Sequence, residues 1–203
     1  MSKRTILIAT GNRGKLREIQ TILHDLPVDW LTLADVGDLP TPVEDGDSFA
    51  ANATIKAEHY ARLTGYWTLA DDSGLEVDAL GGQPGVRSAR FAGPHASDHE
   101  NNQKVIQLLA STPDQQRTAR FRCATVLANP THVLAQSEGI LEGIIVTPAR
   151  GANGFGYDPH FLIPDRGRTA AQLTADQKNA LSHRGHALRS IRPRIEALLS
   201  QKP

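Results

Sequence analysis

The stretch Leu69-Ala70-Asp71-Asp72-Ser73-Gly74-Leu75 sets two carboxylates side by side at the end of an apolar run. Adjacent carboxylates near a core lose hydration and repel each other unless cations or a metal ion offset them. Asp, Ser and Gly are also turn formers, so the same residues suit a strand that simply stops. A second cluster, Thr10-Gly11-Asn12-Arg13-Gly14-Lys15, lies between an apolar segment and an amphipathic one. Its glycines let backbone approach an anion, and Thr10, Asn12 and Lys15 bring hydroxyl, amide and ammonium donors to a helix N-terminus with its positive dipole end. The spacing is neither the Walker loop nor the Rossmann fingerprint, and a plain strand-to-helix turn would use the same residues.

Further along, Asn52 and Lys56 share one helical face beside Phe49, Ala53 and Tyr60. They read either as a pocket wall or as a lysine that snorkels to water. The acidic set Glu44, Asp71 and Asp72 suits Mg²⁺, which takes oxygen ligands and bridges to phosphates. Lysines and glycine amides that gather a polyphosphate next to such carboxylates need a metal between them, so the combination points to a metal–nucleotide complex. In Gly154-Phe155-Gly156-Tyr157-Asp158, aromatics stand among glycines, where a ring can stack on a base or plug the core. Lys178, Ser182, His183 and Arg184 surround a helix junction, and Arg184 with backbone amides can donate to a base carbonyl. His183 with His186 and His95 with His99 have helical spacing, a poor zinc signal without further ligands.

These residues need elements to hold them. Residues 5–9 read as a buried strand, and Leu16, Ile19, Leu23 and Leu26 as one face of a helix beginning at Lys15. A strand over 31–38 follows, then a helix capped by Asp47 or Ser48 and stopped at Gly65. The strand that carries the two aspartates is expected to end at them. Successive strand residues face opposite sides, so only a turn at Ser73-Gly74 would let both face one cleft. Residues 81–93 form a glycine-rich loop, 98–110 a helix, and 120–128, 133–137 and 140–147 three strands, the last punctuated by Gly143. Thr174 and Gln177 form a capping box, and Ser182 caps a final helix that Pro193 bends. The class is α/β with a mixed sheet.

The chain has 203 residues, enough for one well-buried domain over 1–203 drawn into two lobes. Lys plus Arg number 22 and Asp plus Glu 22, a balance that argues against a nucleic-acid partner. The lone Cys123 sits in an alternating apolar run and reads as a buried, inert thiol in a reducing compartment. The run Met1-Ser2-Lys3-Arg4 precedes an apolar stretch too short for a signal peptide, and nothing approaches a membrane span. A cytoplasmic, soluble protein without membrane partners is expected.

In this order, "TGNRGK", "ADDSGLEVDALGGQPGVRSARFAG", "GFGYDPHF" and "LSHRGHAL" make the chain resemble the inosine/xanthosine triphosphate pyrophosphatase family. The resemblance implies a long twisted mixed sheet flanked by helices, two lobes about a central cleft, and a homodimer. It implies Mg²⁺-dependent hydrolysis of ITP, dITP or XTP to the monophosphate and pyrophosphate, which cleanses the nucleotide pool before DNA and RNA synthesis. By the motif match, Thr10, Gly11, Asn12, Arg13, Gly14, Lys15 and Lys56 would hold the triphosphate. Glu44 and Asp72 would hold Mg²⁺, Asp72 would activate the water, and Ser73 would contact substrate. Phe155, Gly156, Tyr157, Asp158, Lys178, His183 and Arg184 would form the base pocket. Asp71 would assist as a nearby charge or a cap on the turn. A Maf-like pyrophosphatase and a nucleotide sensor without hydrolysis are the rival readings.

Overall fold

Strand β1 (Arg4–Ile8) is a continuous apolar run whose Ile6, Leu7 and Ile8 are fully buried, as a strand covered on both faces requires. In the computed structural model, which describes residues 3–201, it pairs in parallel with β2 (Val28–Thr32) and with β3 (Trp67–Val77). Met1 and Ser2, the start of the basic N-terminal run, lie outside the described residues, as do Lys202 and Pro203. Helix α1 (Arg13–Ile22) leads from β1 to β2, and α2 (Phe49–Thr64) leads to β3. The chain therefore leaves β1 for a neighbour on one side and returns to the other. The loop after β1 opens at this switch of direction, where parallel sheets bind ligands beyond their strand ends.

The remaining elements are α3 (Asp98–Leu108), β4 (Thr118–Ala128), β5 (Val133–Ile145), β6 (Phe161–Ile163), β7 (Arg168–Thr169), α4 (Ala175–Leu181) and α5 (His183–Ser200). The sheet runs β2-β1-β3-β4-β5-β6-β7, with β5, β6 and β7 antiparallel. The expected α/β class, a mixed sheet flanked by helices, is what the chain adopts. No helix of the described residues is long and apolar enough to cross a membrane.

The chain divides into two compact units. The first comprises Met1–Asp72, Cys123–Gly139 and Arg184–Pro203, around a core that includes Ile6, Ile8, Ile19, Leu69, Leu127 and Leu188. The second comprises Ser73–Arg122 and Ile140–His183, around Leu75, Val105, Phe121, Ile145, Tyr157 and Phe161.

Local signals located several elements well. Ser48 Oγ accepts from Ala51 N at 3.2 Å to start α2, and Gly65 ends it with φ of 76°. Thr174 and Gln177 close the expected capping box on α4. Three expectations are corrected. The β3 strand does not end at the aspartates but continues unbroken to Val77, so there is no turn at Ser73-Gly74. Strand β2 starts at Val28 rather than residue 31, and the chain then bends because Asp35 accepts from Thr32 N at 2.7 Å and Thr32 Oγ1 at 2.6 Å. Residues 133–145 form one strand, not two, and Gly143 interrupts nothing. A Cβ there would strike the Phe161 ring and come within 2.6 Å of the Leu162 carbonyl oxygen. The glycine therefore makes room for a fully buried Phe161. Helix α5 runs on through Pro193 to Ser200.

Gly143→Ala is expected to destabilise the protein by about 1–3 kcal/mol, the usual cost of overpacking a filled core. Urea unfolding checks this, and an unchanged midpoint would mean that the Phe161 ring has room to move aside.

Candidate active site

The loop after β1 is organised by Asn12, whose Oδ1 accepts from Gly14 N at 2.8 Å and Lys15 N at 3.0 Å. This caps α1 and satisfies two of the amides that a helix start leaves open. Thr10 Oγ1 in turn accepts from Asn12 N at 3.2 Å. Gly11, Asn12 and Arg13 are exposed, and a Cβ on Gly11 would meet nothing within 4 Å. The segment is thus a rigid, open helix N-terminus with Lys15 in its first turn.

Lys15 reaches from that turn to Asp71, Nζ to Oδ2 at 3.2 Å. Arg184, at the start of α5, donates from Nε to the same oxygen at 3.1 Å and from Nη1 to Glu18. Asp71 and Arg184 are each 1% exposed, so this is a buried ion network. Burial alone would raise the Asp71 pKa, but Lys15, Arg184 and Lys56 reverse it and hold the carboxyl well below its ordinary range. Burial opposes the Arg184 charge too, and Asp71, Cys123 and Glu18 more than restore it. Cys123 is buried beside Asp71, with its thiol pushed up to about 12 first by burial and then by that carboxylate. It is the inert thiol expected.

Asp72 has a different environment. Its Oδ2 accepts from Asn52 Nδ2 at 3.2 Å, and Asn52 Oδ1 accepts from Gly46 N at 2.8 Å. A Cβ on Gly46 would come within 2.8 Å of that same Oδ1, so the loop carrying Glu44 rests directly on the amide. Lys56 Nζ bridges Glu44 Oε2 at 3.0 Å and the Asp71 carbonyl oxygen at 3.1 Å. Burial lowers the Lys56 pKa less than Asp71, Glu44 and Asp72 raise it, so it stays charged. Asp72 ends above its ordinary value. Burial raises it most, Lys15 and Lys56 pull it back, and Asp71 and Glu44 push it up again. Among the described residues, no group of three His, Cys, Asp or Glu side chains stands ready for a metal.

In the second unit, Ser73 is half-buried on β3. Asp158 is 2% exposed, and its Oδ2 accepts from Phe155 N at 3.0 Å and pairs with Lys178 Nζ at 2.5 Å. That ammonium lies 4.4 Å from the Phe155 ring centroid. Gly154 has φ of 78°, and a Cβ there would run into Asp158 Oδ2. Gly156 is held at both ends: its N–H donates to Asp98 Oδ2 at 2.6 Å, and its carbonyl accepts from Asn102 Nδ2 at 2.8 Å. Tyr157 is a core residue whose hydroxyl donates to the Ser88 carbonyl at 2.8 Å. His183 is buried and stacks on Phe121, centroids 4.8 Å apart.

Of the expected residues of the first unit, Lys15 pairs with Asp71, Lys56 pairs with Glu44 and reaches the Asp71 carbonyl, and Asp72 is held by Asn52. Arg184, expected at a base, is buried on Asp71 and Glu18. The expected Phe155, Asp158 and Lys178 meet one another in the second unit. Sequence reasoning missed Glu18, Asp98 and Asn102. Asp98 and Asn102 lie in the helix expected over 98–110, and no local spacing ties them to the Gly156 backbone.

The profile of the Ham1 family matches residues 6–194. A dITP/XTP pyrophosphatase of Geobacter sulfurreducens is 48% identical over 190 residues, covering 94% of this chain and 96% of that protein. One from Exiguobacterium sibiricum is 46% identical, covering 97% and 99%. A solved HAM1 protein from Coxiella burnetii superposes with a TM-score of 0.87 at 42% identity, over 96% of this chain and 99% of that one.

The two aspartates should respond oppositely to amide substitution. Asp71→Asn leaves Lys15 and Arg184 buried without their shared counterion and is expected to cost about 3–5 kcal/mol. The stabilisation Asp71 gives is complete above the unfolded carboxyl pKa and is lost as pH falls through its depressed folded value, in strong acid. Asp72 binds its proton more tightly folded than unfolded, so its ionisation opposes folding as pH rises past about 4. Asp72→Asn is therefore expected to raise the urea midpoint at pH 7 and to leave it unchanged at pH 3. Equal destabilisation by both substitutions would contradict this division.

Proposed function

The chain belongs to the Ham1 family, and on that footing we propose that it hydrolyses non-standard purine nucleoside triphosphates, dITP, ITP and XTP. Water adds across the α–β anhydride, so that one product is the nucleoside monophosphate and the other pyrophosphate. In this reading the protein clears such nucleotides in the cytoplasm, as a homodimer, before they enter DNA or RNA. The observation that carries it is the placing of Lys15, in the capped first turn of α1, and Lys56, paired with Glu44 on α2, about the Asp71-Asp72 step of β3.

A carboxylate of ordinary pKa is a weak base, and one raised by burial is better matched to taking a proton from water. Asn52 fixes its Oδ2 and so sets the direction of the carboxyl. Lys15 and Lys56 supply positive charge, and each ammonium carries three N–H donors, more than its contacts with Asp71 and Glu44 use. Thr10, Gly11, Asn12, Arg13 and Gly14 give the exposed start of α1, suited to phosphate oxygens. Such pre-set donors lower a phosphoryl-transfer barrier by positioning and charge neutralisation.

Glu44 and Asp72 fit Mg²⁺ as hard oxygen donors, and the charge of Glu44 adds to the cost of ionising Asp72, a cost that a dication relieves. When bound, Mg²⁺ would neutralise phosphate charge and acidify a water. In the second unit, Lys178 held by Asp158 over the Phe155 ring offers donor chemistry suited to a purine with a carbonyl at C6. Adenine's amino group would meet a donor there, at about 1–3 kcal/mol per unmatched buried group.

A steady-state panel of dITP, ITP, XTP, ATP and GTP with Mg²⁺, with product identification, tests the reading. Preference for the first three, with pyrophosphate rather than phosphate released and loss of activity in EDTA, is expected; ATP turned over equally well would overturn the specificity. Asp72→Asn is expected to lower kcat by about 10²–10⁴-fold with binding retained.

A further inference from the structure

Between β3 and α3 the chain forms a short helical turn, Gly85–Arg90, that is held far more firmly than a connection needs. Ser88 Oγ accepts from Leu75 N at 2.8 Å and donates to the Gly85 carbonyl at 2.6 Å. Asn101, 3% exposed on α3, accepts from Ala92 N at 2.8 Å and donates to the Ala89 carbonyl at 3.2 Å. Buried side chains thus lock the backbone on both sides of Arg90. This rigid segment frames a cavity of about 560 Å³, within the range of small-molecule sites.

The lining is strongly one-signed. Arg87, Arg90 and Lys104 contribute three cations, with Gln83 and Phe91 beside them, and no Asp or Glu lines the cavity. Such grouping is local, because the whole chain has equal numbers of basic and acidic residues. Lys104 is fixed in place: its Nζ donates to the Phe91 carbonyl at 2.6 Å and lies 4.5 Å from that ring's centroid. The Arg87 guanidinium is exposed and makes no ion pair or side-chain hydrogen bond among the described residues. Guanidinium and ammonium groups that converge on a preformed concavity recognise phosphate, with Arg donating in a bidentate fork and Lys as a point charge.

We propose that this cavity binds a phosphate-bearing small molecule, with Arg87 and Lys104 as its principal donors. None of the residues that line the cavity is among those assigned above to hydrolysis.

Isothermal titration of the full-length protein with inorganic pyrophosphate, in EDTA and low salt, tests it, with AMP as a second titrant. Arg87→Glu and Lys104→Met are each expected to weaken binding roughly ten-fold or more, the usual effect of losing a charge-assisted contact. Their dITP turnover should stay unchanged, as should the thermal midpoint of Arg87→Glu. Tighter binding of pyrophosphate than AMP identifies free oligophosphate as the ligand, and the reverse order identifies a nucleotide; both support the site. Wild-type binding by both variants overturns it, as does equal loss of binding and turnover, which would make the cavity part of the reaction's own site.

Discussion

The buried carboxylate of Asp71 is the constraint on which the first unit depends. A lone charge at 1% exposure would cost several kcal/mol, and apolar packing cannot offset it. Its neutralisation draws in Lys15 from the first turn of α1 and Arg184 from the first turn of α5, a partner 113 residues away. Arg184 in turn needs Glu18, so the network of two carboxylates and two cations closes without net charge. The ends of two helices are thereby tied to one point of β3. Their apolar faces, through Ile19, Leu23, Leu188 and Ile191, then complete the core around that point.

The same arrangement gives Asp72 its character. A strand presents successive side chains to opposite faces, so neighbours in sequence have different surroundings. Lys15 and Arg184 both sit on Asp71, whereas at Asp72 burial outweighs the pull of Lys15 and Lys56, with Asp71 itself and Glu44 adding to it. One carboxyl is pushed down and its neighbour up, so one stays a fixed charge while the other binds a proton more readily. The site needs no turn at Ser73-Gly74 because the strand's own alternation separates the two roles.

What could be read in the sequence was what short-range chemistry decides. Ser48 and Gly65 bound α2, Thr174 and Gln177 start α4, and the glycine-and-donor loop before α1 lies where its composition said. Long-range partners decided the rest. Asp71-Asp72-Ser73-Gly74 has the composition of a turn, and it is a strand because cations from α1 and α5 make Asp71 tolerable inside. Gly143 has the look of a break, and it is a space for Phe161. Asn52 was visible as a polar residue on the α2 face, but its tie to the Gly46 amide depends on a loop path that no local spacing encodes.

Asn52 also shows why an amide, rather than a charged group, suits that position. It satisfies a donor and an acceptor at once, bridging the Gly46 N–H and the Asp72 carboxylate while 1% exposed, at little cost in burial. A lysine there would orient Asp72 as well, but its full charge would pull the carboxyl pKa down and leave a weak base. An aspartate would add a third repelling carboxylate to Glu44 and Asp72 and could not donate when ionised. A neutral donor fixes the direction of Asp72 while leaving in place the burial and like charges that raise its pKa. The direction of the Asp72 carboxyl and its affinity for a proton are therefore set by different features, Asn52 for the first, and burial with Asp71 and Glu44 for the second.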